Sequence, residues 1–221
     1  MAVSTFGSVT QKNSKYLRTP AGGSGIGEQR ATNVSDNQTE PGSGTLLIAH
    51  PWLGDPNFQR SVILVCDHEH EEGSFGLVIS RKLETKVGEI VSALESTDHD
   101  LYLGGPVQPN TLHYVHTHGD LVDSAIKVQD GLFWGGDFDL IQAMVLADEL
   151  KPPHIRFFAG YAGWGPGQLA EEIEEGSWIL TQAPPETLLE TEPETLWRVL
   201  LRRMGGAYSI LSNFPSDPQN N

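Results

Sequence analysis

The densest run of side chains that could do chemistry is His113-Tyr114-Val115-His116-Thr117-His118-Gly119-Asp120. His116-x-His118-x-Asp120 echoes a dinuclear metallohydrolase motif, because imidazoles on a loop are good zinc ligands. Such a motif would place another histidine after Asp120, where this chain has Leu121. In an extended backbone His116 and His118 share a face and His113 lies on the other, so ordinary strand or surface histidines are the plainer reading. A second donor run, Cys66-Asp67-His68-Glu69-His70-Glu71-Glu72, falls where two strands should turn, and acidic residues suit a solvated hairpin tip. Its two histidines are too close together for a helical HExxH. Glycines make the third signal. Gly104-Gly105-Pro106 and Gly160-x-x-Gly163-x-Gly165-x-Gly167 could cradle a phosphate at a helix N-terminus. No GxxxxGK[ST] accompanies them, and no acidic residue follows at dinucleotide-fold spacing. Finally, Asp55, Asn57 and Arg60 form a polar loop that either binds something or serves only for capping and ion pairing.

The elements that must position these residues are legible from periodicity. Phe157-Phe158 end an apolar run that reads as a buried strand, and residues 160–167 read as a tight aromatic-glycine turn. Pro166 suits the first turn of the helix that follows, through about Glu175. Upstream, Gly44–Pro51 reads as a short buried strand. Ser61–Asp67 and Phe75–Ser80 read as a hairpin around an acidic turn at His68–Gly73. Val87, Ile90, Val91 and Leu94 have the one-face spacing of an amphipathic helix over 86–94. Further strands are expected at 101–103, 112–116, 125–128, 132–134 and 178–180. A helix over 137–150 has Asp137 as N-cap. A last helix opens at Thr191-Glu192-Pro193-Glu194 with capping-box spacing and ends at Gly205-Gly206. Strands and helices alternate without a βαβ repeat. The expected fold is therefore α+β: a central mixed, mostly antiparallel β-sheet flanked by helices in a single compact domain.

Composition narrows the function classes. The 221-residue chain has a net charge of −15. Residues 1–43 balance to +1, so the remainder carries −16. Counterion release on nucleic acid needs clustered Lys and Arg, and the one basic cluster, Arg198-Arg202-Arg203, sits where a helix C-terminus wants cations anyway. Direct nucleic-acid binding is disfavoured. The single cysteine, Cys66, excludes an intrachain disulfide and follows an apolar run, so it reads as a buried structural thiol. No apolar run approaches the roughly 20 residues that span a bilayer, and Met1–Ser8 has no secretory pattern. The expected localisation is cytoplasmic. Residues 1–43, rich in Gly, Ser, Thr, Asn and Gln, read as a flexible tail. The domain is expected over 44–214, with a short C-terminal tail at 215–221.

Taken in order, several segments carry a family resemblance. They are Gly44-Thr45-Leu46-Leu47-Ile48-Ala49, Asp55-Pro56-Asn57-Phe58-x-Arg60-Ser61-Val62, Gly76-Leu77-Val78-Ile79, Gly104-Gly105-Pro106-Val107, Gly135-Gly136-Asp137-Phe138, and Gly160-Tyr161-x-Gly163-Trp164-x-x-Gly167-Gln168-Leu169. The chain resembles the YqgE/AlgH family of bacterial proteins over residues 44 to about 182. That resemblance implies a compact α+β domain. Members are often labelled transcriptional regulators, after a link to alginate production, and the family offers no catalytic residue or cofactor to carry over. The chain departs from it at His50-Pro51-Trp52, where the family's loop often begins Met-Pro.

The leading expectation is a non-enzymatic binding or regulatory protein, without cofactor or metal, that engages an unidentified protein partner. Its contact residues would be Asp55, Asn57, Phe58 and Arg60, with Gly104, Gly105 and Pro106, and with Tyr161 and Trp164. The alternatives are a metal-dependent hydrolase using His113, His116 and His118, and a small-ligand or nucleotide-binding domain at the Gly165–Gly167 helix start.

Overall fold

The computed structural model describes residues 40–215, so most of the expected N-terminal tail and the last six residues lie outside the described part. In chain order the strands are β1 (Leu46–Ala49), β2 (Val62–Glu69), β3 (Gly73–Val78), β4 (Lys82–Lys86), β5 (Asp100–Leu103), β6 (Val107–His116), β7 (Ile126–Gln129), β8 (Leu132–Trp134), β9 (Ile155–Trp164) and β10 (Trp178–Thr181). The helices are α1 (Val87–Ile90), α2 (Phe138–Leu146), α3 (Gln168–Glu174), α4 (Pro185–Glu190), α5 (Pro193–Met204) and α6 (Gly206–Leu211). The strands join in the order β10-β1-β2-β3-β9-β6-β8-β7, with β5 beside β9 and β4 beside β5. Only β5–β9 is parallel among the described pairings; all others are antiparallel. This is the α+β architecture expected from the patterning.

Strand alternation distributes the core over both faces. Phe158, Leu46, Ile48 and Leu64 pack with Leu196, Trp197, Leu200 and Leu201 of α5. Their chain neighbours point the other way. Phe157 meets Phe138, Ile141 and Val145 of α2, and Leu47 and Ile63 meet Leu169 of α3 and Trp178. Cys66 is buried as expected, and burial pushes its thiol pKa far up, which leaves it unreactive.

Several local expectations are corrected. The largest concerns residues 160–164, which continue β9 as strand; the turn is confined to Gly165–Gly167. Gly160 stays in the strand although its φ is +67°, because there β9 changes partner. Its parallel pairing with β5 at Leu101–Leu103 gives way to antiparallel pairing with β3 at Ser74–Gly76. Pro166 precedes the α3 N-cap, Gly167, and does not open the helix. The stretch 86–94 is not one helix. Val91 is extended and separates α1 from a 3-10 turn at Ser92–Leu94, although Val87, Val91 and Leu94 are buried as the spacing predicts. Strand β6 begins five residues earlier than expected, through a bulge between Val107 and Leu112.

At α2, Asp137 caps as predicted, accepting from the amides of Asp139 (2.9 Å) and Leu140 (3.2 Å), but the helix ends at Leu146. No capping box forms at α5, whose N-cap is Glu192 and whose cap residue makes no side-chain bond. In the β2–β3 hairpin, His68 and Glu69 are still paired strand, so the acidic turn is shorter than expected. Helices α4 and α6 were not foreseen.

Candidate functional site

The Asp55–Arg60 loop is held from three sides. Asp55 closes an Asx turn by accepting from the Asn57 amide (2.8 Å), and its carbonyl accepts from the amides of Phe58 and Gln59. Arg81 donates to the carbonyls of Pro56 (3.2 Å) and Gln59 (3.1 Å). Phe58 drops inward, edge-on to Trp178 at 5.7 Å and stacked toward Trp164 at 6.5 Å. Arg60 takes φ +54°, uncommon for a non-glycine residue. It lays its guanidinium over Trp197 (4.7 Å) and donates to the carbonyls of Phe214 and Pro215. Asp55 and Asn57 are exposed; Phe58 and Arg60 are half-buried.

Just upstream stands Trp52, 71% exposed and the most exposed large hydrophobic side chain among the described residues. Its ring lies 5.0 Å from that of His50 and makes an edge-to-face pair with Phe214 at 5.5 Å. Arg198 lies close enough to Arg60 to lower its pKa further, after burial, the larger cause. The result is an exposed tryptophan on an ordered loop beside paired arginines, on a domain that is otherwise strongly acidic. Sequence reasoning missed Trp52; the available signal was a tryptophan at the His50-Pro51-Trp52 departure.

The glycine and aromatic candidates serve other ends. A Cβ on Gly104 would lie 2.1 Å from the Gly160 carbonyl oxygen, and one on Gly105 would lie 2.2 Å from the Tyr161 backbone. Both glycines are buried, and they carry the chain from β5 across β9; Pro106 alone of the three is exposed. Trp164 is only 6% exposed. Its indole N–H donates to Glu172 Oε2 (2.9 Å), which also accepts from the Trp178 indole (2.7 Å). Glu172 Oε1 accepts from Gln168 Nε2 (2.9 Å), so one carboxylate staples α3 to β9 and β10. Trp164 is thus joined to the Asp55–Arg60 loop through Phe58 and is not itself part of an outer surface.

Tyr161 belongs to a separate cluster, stacked on Phe75 (4.7 Å), which in turn stacks on Trp134 (4.5 Å), with His113 edge-on to Phe75 and Tyr161. Beside it opens a hollow of about 330 Å³ that includes Asp67, Glu69, Glu72, Phe75 and Tyr161 in its lining. The Gly165 turn borders this acidic hollow, which repels a phosphate. α3 is also a short helix of seven residues whose first turn already holds Glu171. A nucleotide site at Gly165–Gly167 therefore finds no support in the geometry.

Nor do the histidines converge. Burial lowers the His113 pKa to about 4, which leaves it neutral among the aromatics. His116 is fully buried and has both ring nitrogens in use: Nε2–H donates to the Gly135 carbonyl (2.9 Å) and Nδ1 accepts from the His118 amide (3.3 Å). No lone pair is left for a metal. His118 lies past the end of β6, its ring 5.7 Å from that of His154. Among the described residues no three His, Cys, Asp or Glu side chains are grouped to hold a metal ion.

One buried cation was not foreseen. Arg156, 6% exposed, lies over Tyr102 (4.7 Å) and donates to the carbonyls of Ile79 (3.1 Å), Leu189 (2.8 Å) and Thr191 (3.3 Å). It lines a cleft of about 500 Å³. Its partners are the end of β3 and the C-terminal carbonyls of α4, where a cation is favoured, so its role is to join elements.

With this geometry in hand, comparison with known proteins is decisive at the family level. The family model described as AlgH-like (DUF179) matches residues 46–209. The chain belongs to the AlgH-like family. Among similar family members, a UPF0301 protein of Chlorobaculum tepidum is 44% identical over 178 residues, covering 80% of this chain and 95% of that protein. One from Cytophaga hutchinsonii is 36% identical over 80% of this chain and 98% of its own length. Among solved structures, protein DIP2367 of Corynebacterium diphtheriae superposes with a TM-score of 0.66 at 29% identity, over 79% of this chain and 93% of that one. The solution structure of AlgH from Pseudomonas aeruginosa gives a TM-score of 0.64 at 27% identity, over 84% and 98%. Fold and family agree with the sequence resemblance, and none of these names states an activity. No helix among the described residues is long and apolar enough to cross a membrane.

Proposed function

We propose that this AlgH-like protein is a non-enzymatic, cytoplasmic binding protein that engages a protein partner through the face built by Trp52, the Asp55–Arg60 loop and Phe214. The observation that carries this reading is Trp52 itself, 71% exposed yet held against the His50 and Phe214 rings. Tryptophan and arginine are the residues most enriched in the few positions that dominate interface energies. A side chain held in this way also loses little freedom on binding. The nearby arginines suit a partner that offers carboxylates beside an apolar group. Any regulatory effect on transcription is then indirect, since a domain of charge −16 opposes contact with DNA.

The test starts with the full-length protein as bait. A partner it captures is then purified and titrated against wild type and Trp52→Ala. The reading predicts a loss of about 30-fold or more in affinity, equivalent to about 2 kcal/mol. Equal affinity for the two proteins would overturn it. Sedimentation of the purified protein alone distinguishes a second copy of the chain from a different partner.

A further inference from the structure

The cleft at Arg156 forms where β9 passes beneath the corner between α4 and α5. Arg156 stands two residues before Phe158 in β9, so it projects to the same side of the sheet, the side that α5 covers. There it meets the Thr191–Glu192 link between the two helices, and its bonds to the Leu189 (2.8 Å) and Thr191 (3.3 Å) carbonyls hold that link down. The cleft of about 500 Å³ lies beside this contact. Ile155, Leu189, Pro153 and Pro193 give it apolar walls. Glu190 and Glu192, both exposed, give it an acidic rim.

Beyond joining elements, the Arg156 guanidinium has capacity to spare. A guanidinium carries five N–H donors, and the carbonyls of Ile79, Leu189 and Thr191 engage only Nη1 and Nη2. Nε–H has no hydrogen-bond partner among the described residues. No fully occluded side-chain nitrogen or oxygen among them is left unpartnered, so Nε is reached from open space. The charge is not balanced either. Arg156 is 6% exposed yet joins no ion pair among the described residues, whereas arginines so buried are ordinarily paired. Asp100, the acid lining the inner part of the same cleft, is already held by Lys82 and Lys86 at 2.7 Å each. Burial lowers the Arg156 pKa, although Tyr102 and the carboxylates of Glu192, Asp100 and Glu194 act the other way. Apolar walls with a few convergent polar groups, in a cleft of this volume, are the usual form of a small-molecule site. Here the charge runs from a cationic floor to an acidic rim.

We propose that this cleft binds a small zwitterion, an amino acid or a short peptide, whose carboxylate accepts from Arg156 inside while its ammonium group meets Glu190 and Glu192 at the rim. A hydrogen bond between two charged partners is among the strong ones, and the ligand carboxylate supplies the counter-charge that Arg156 lacks. A simple anion is repelled at the rim and a simple cation at the floor, so the order of charge selects a molecule that carries both. The apolar walls suit an aliphatic body. No residue of this cleft belongs to the Trp52 face, and the site stands or falls independently of it.

The test is calorimetric titration of the full-length protein, at fixed ionic strength, with leucine and leucylleucine and with the amide and the N-acetyl derivative of each. The amide lacks the carboxylate and the acetylated form lacks the ammonium group. Because Arg156 also joins elements, the decisive variant is Glu190→Gln/Glu192→Gln; both side chains are exposed, and that of Glu192 makes no cap bond to α5. Saturable binding of a zwitterion, with each blocked form weaker by about tenfold or more, supports the proposal. The tighter of leucine and leucylleucine then tells an amino-acid site from a peptide site. In the double variant the acetylated form should bind as tightly as its parent while the amide stays weak. No saturable binding of either zwitterion overturns the proposal. So does a blocked form that binds the wild-type protein as tightly as its parent, or a double variant that still rejects the acetylated form.

Discussion

The crossing at Gly160 and the loop at Trp52 make an instructive pair, because both lie in or beside the segments that carry the family resemblance. At the crossing, Gly104, Gly105 and Gly160 are used up by backbone approaching backbone; Cβ atoms on the first two would sit 2.1–2.2 Å from main-chain atoms of β9. Nothing there is left over for a ligand. At the loop, turn bonds and arginine clamps fix the main chain, while Trp52, Asp55 and Asn57 stay in solvent. A recurring motif residue can therefore serve the fold or serve contact, and side-chain availability tells the two apart.

The comparison predicts the largest effect at the crossing. Gly104→Ala forces a Cβ against a carbonyl that cannot move without unpairing β9, and is expected to destabilise by about 4 kcal/mol or more. Gly167→Ala is the contrast. Its φ is +75° but nothing lies within 4 Å, so only the left-handed conformation is penalised, by about 1 kcal/mol. Denaturant unfolding of both proteins checks this; similar losses would break the distinction between a close approach and a simple turn.

Next in size is Arg156→Met, which keeps much of the side chain's bulk and strips three carbonyls of their donor. A loss of about 2–3 kcal/mol is expected by the same measurement.

Acid should then weaken the fold through the neutral histidines. His113 is held near pKa 4 by burial, against about 6.5 in the unfolded chain. Between those values the unfolded state binds a proton that the folded state does not, so stability falls as pH drops from about 6.5 to about 4. Burial lowers His50, His99 and His116 as well, and they act in the same direction. Melting temperature against pH should show this slope, and His113→Phe should flatten part of it.

How much of this was legible in the sequence depends on the kind of interaction. Short apolar runs bounded by glycine, proline and acidic turns place the strands, and Asp137 is readable as a cap because its bonds are local. Trp164 reads as a contact residue in sequence but is buried, because its partner, the Glu172 carboxylate, and its neighbour β3 arrive only with the sheet. From sequence Gly160 reads as part of a turn because glycine signals freedom, and nothing local says that the freedom is used inside a strand. The histidines suggested metal by type and spacing; the Gly135 carbonyl that occupies His116 is brought there by β8. Phe75 and Tyr161 are far apart in sequence, so no local pattern announces their stacking or the hollow beside them.

The smallest expected effect on stability and the largest on binding meet at Trp52. The most direct measurement is a paired one: the unfolding free energy of Trp52→Ala and its affinity for a partner captured by the wild-type chain. The account predicts stability within about 0.5 kcal/mol of wild type and affinity reduced about 30-fold or more. Unchanged affinity, or affinity lost only together with stability, would contradict it.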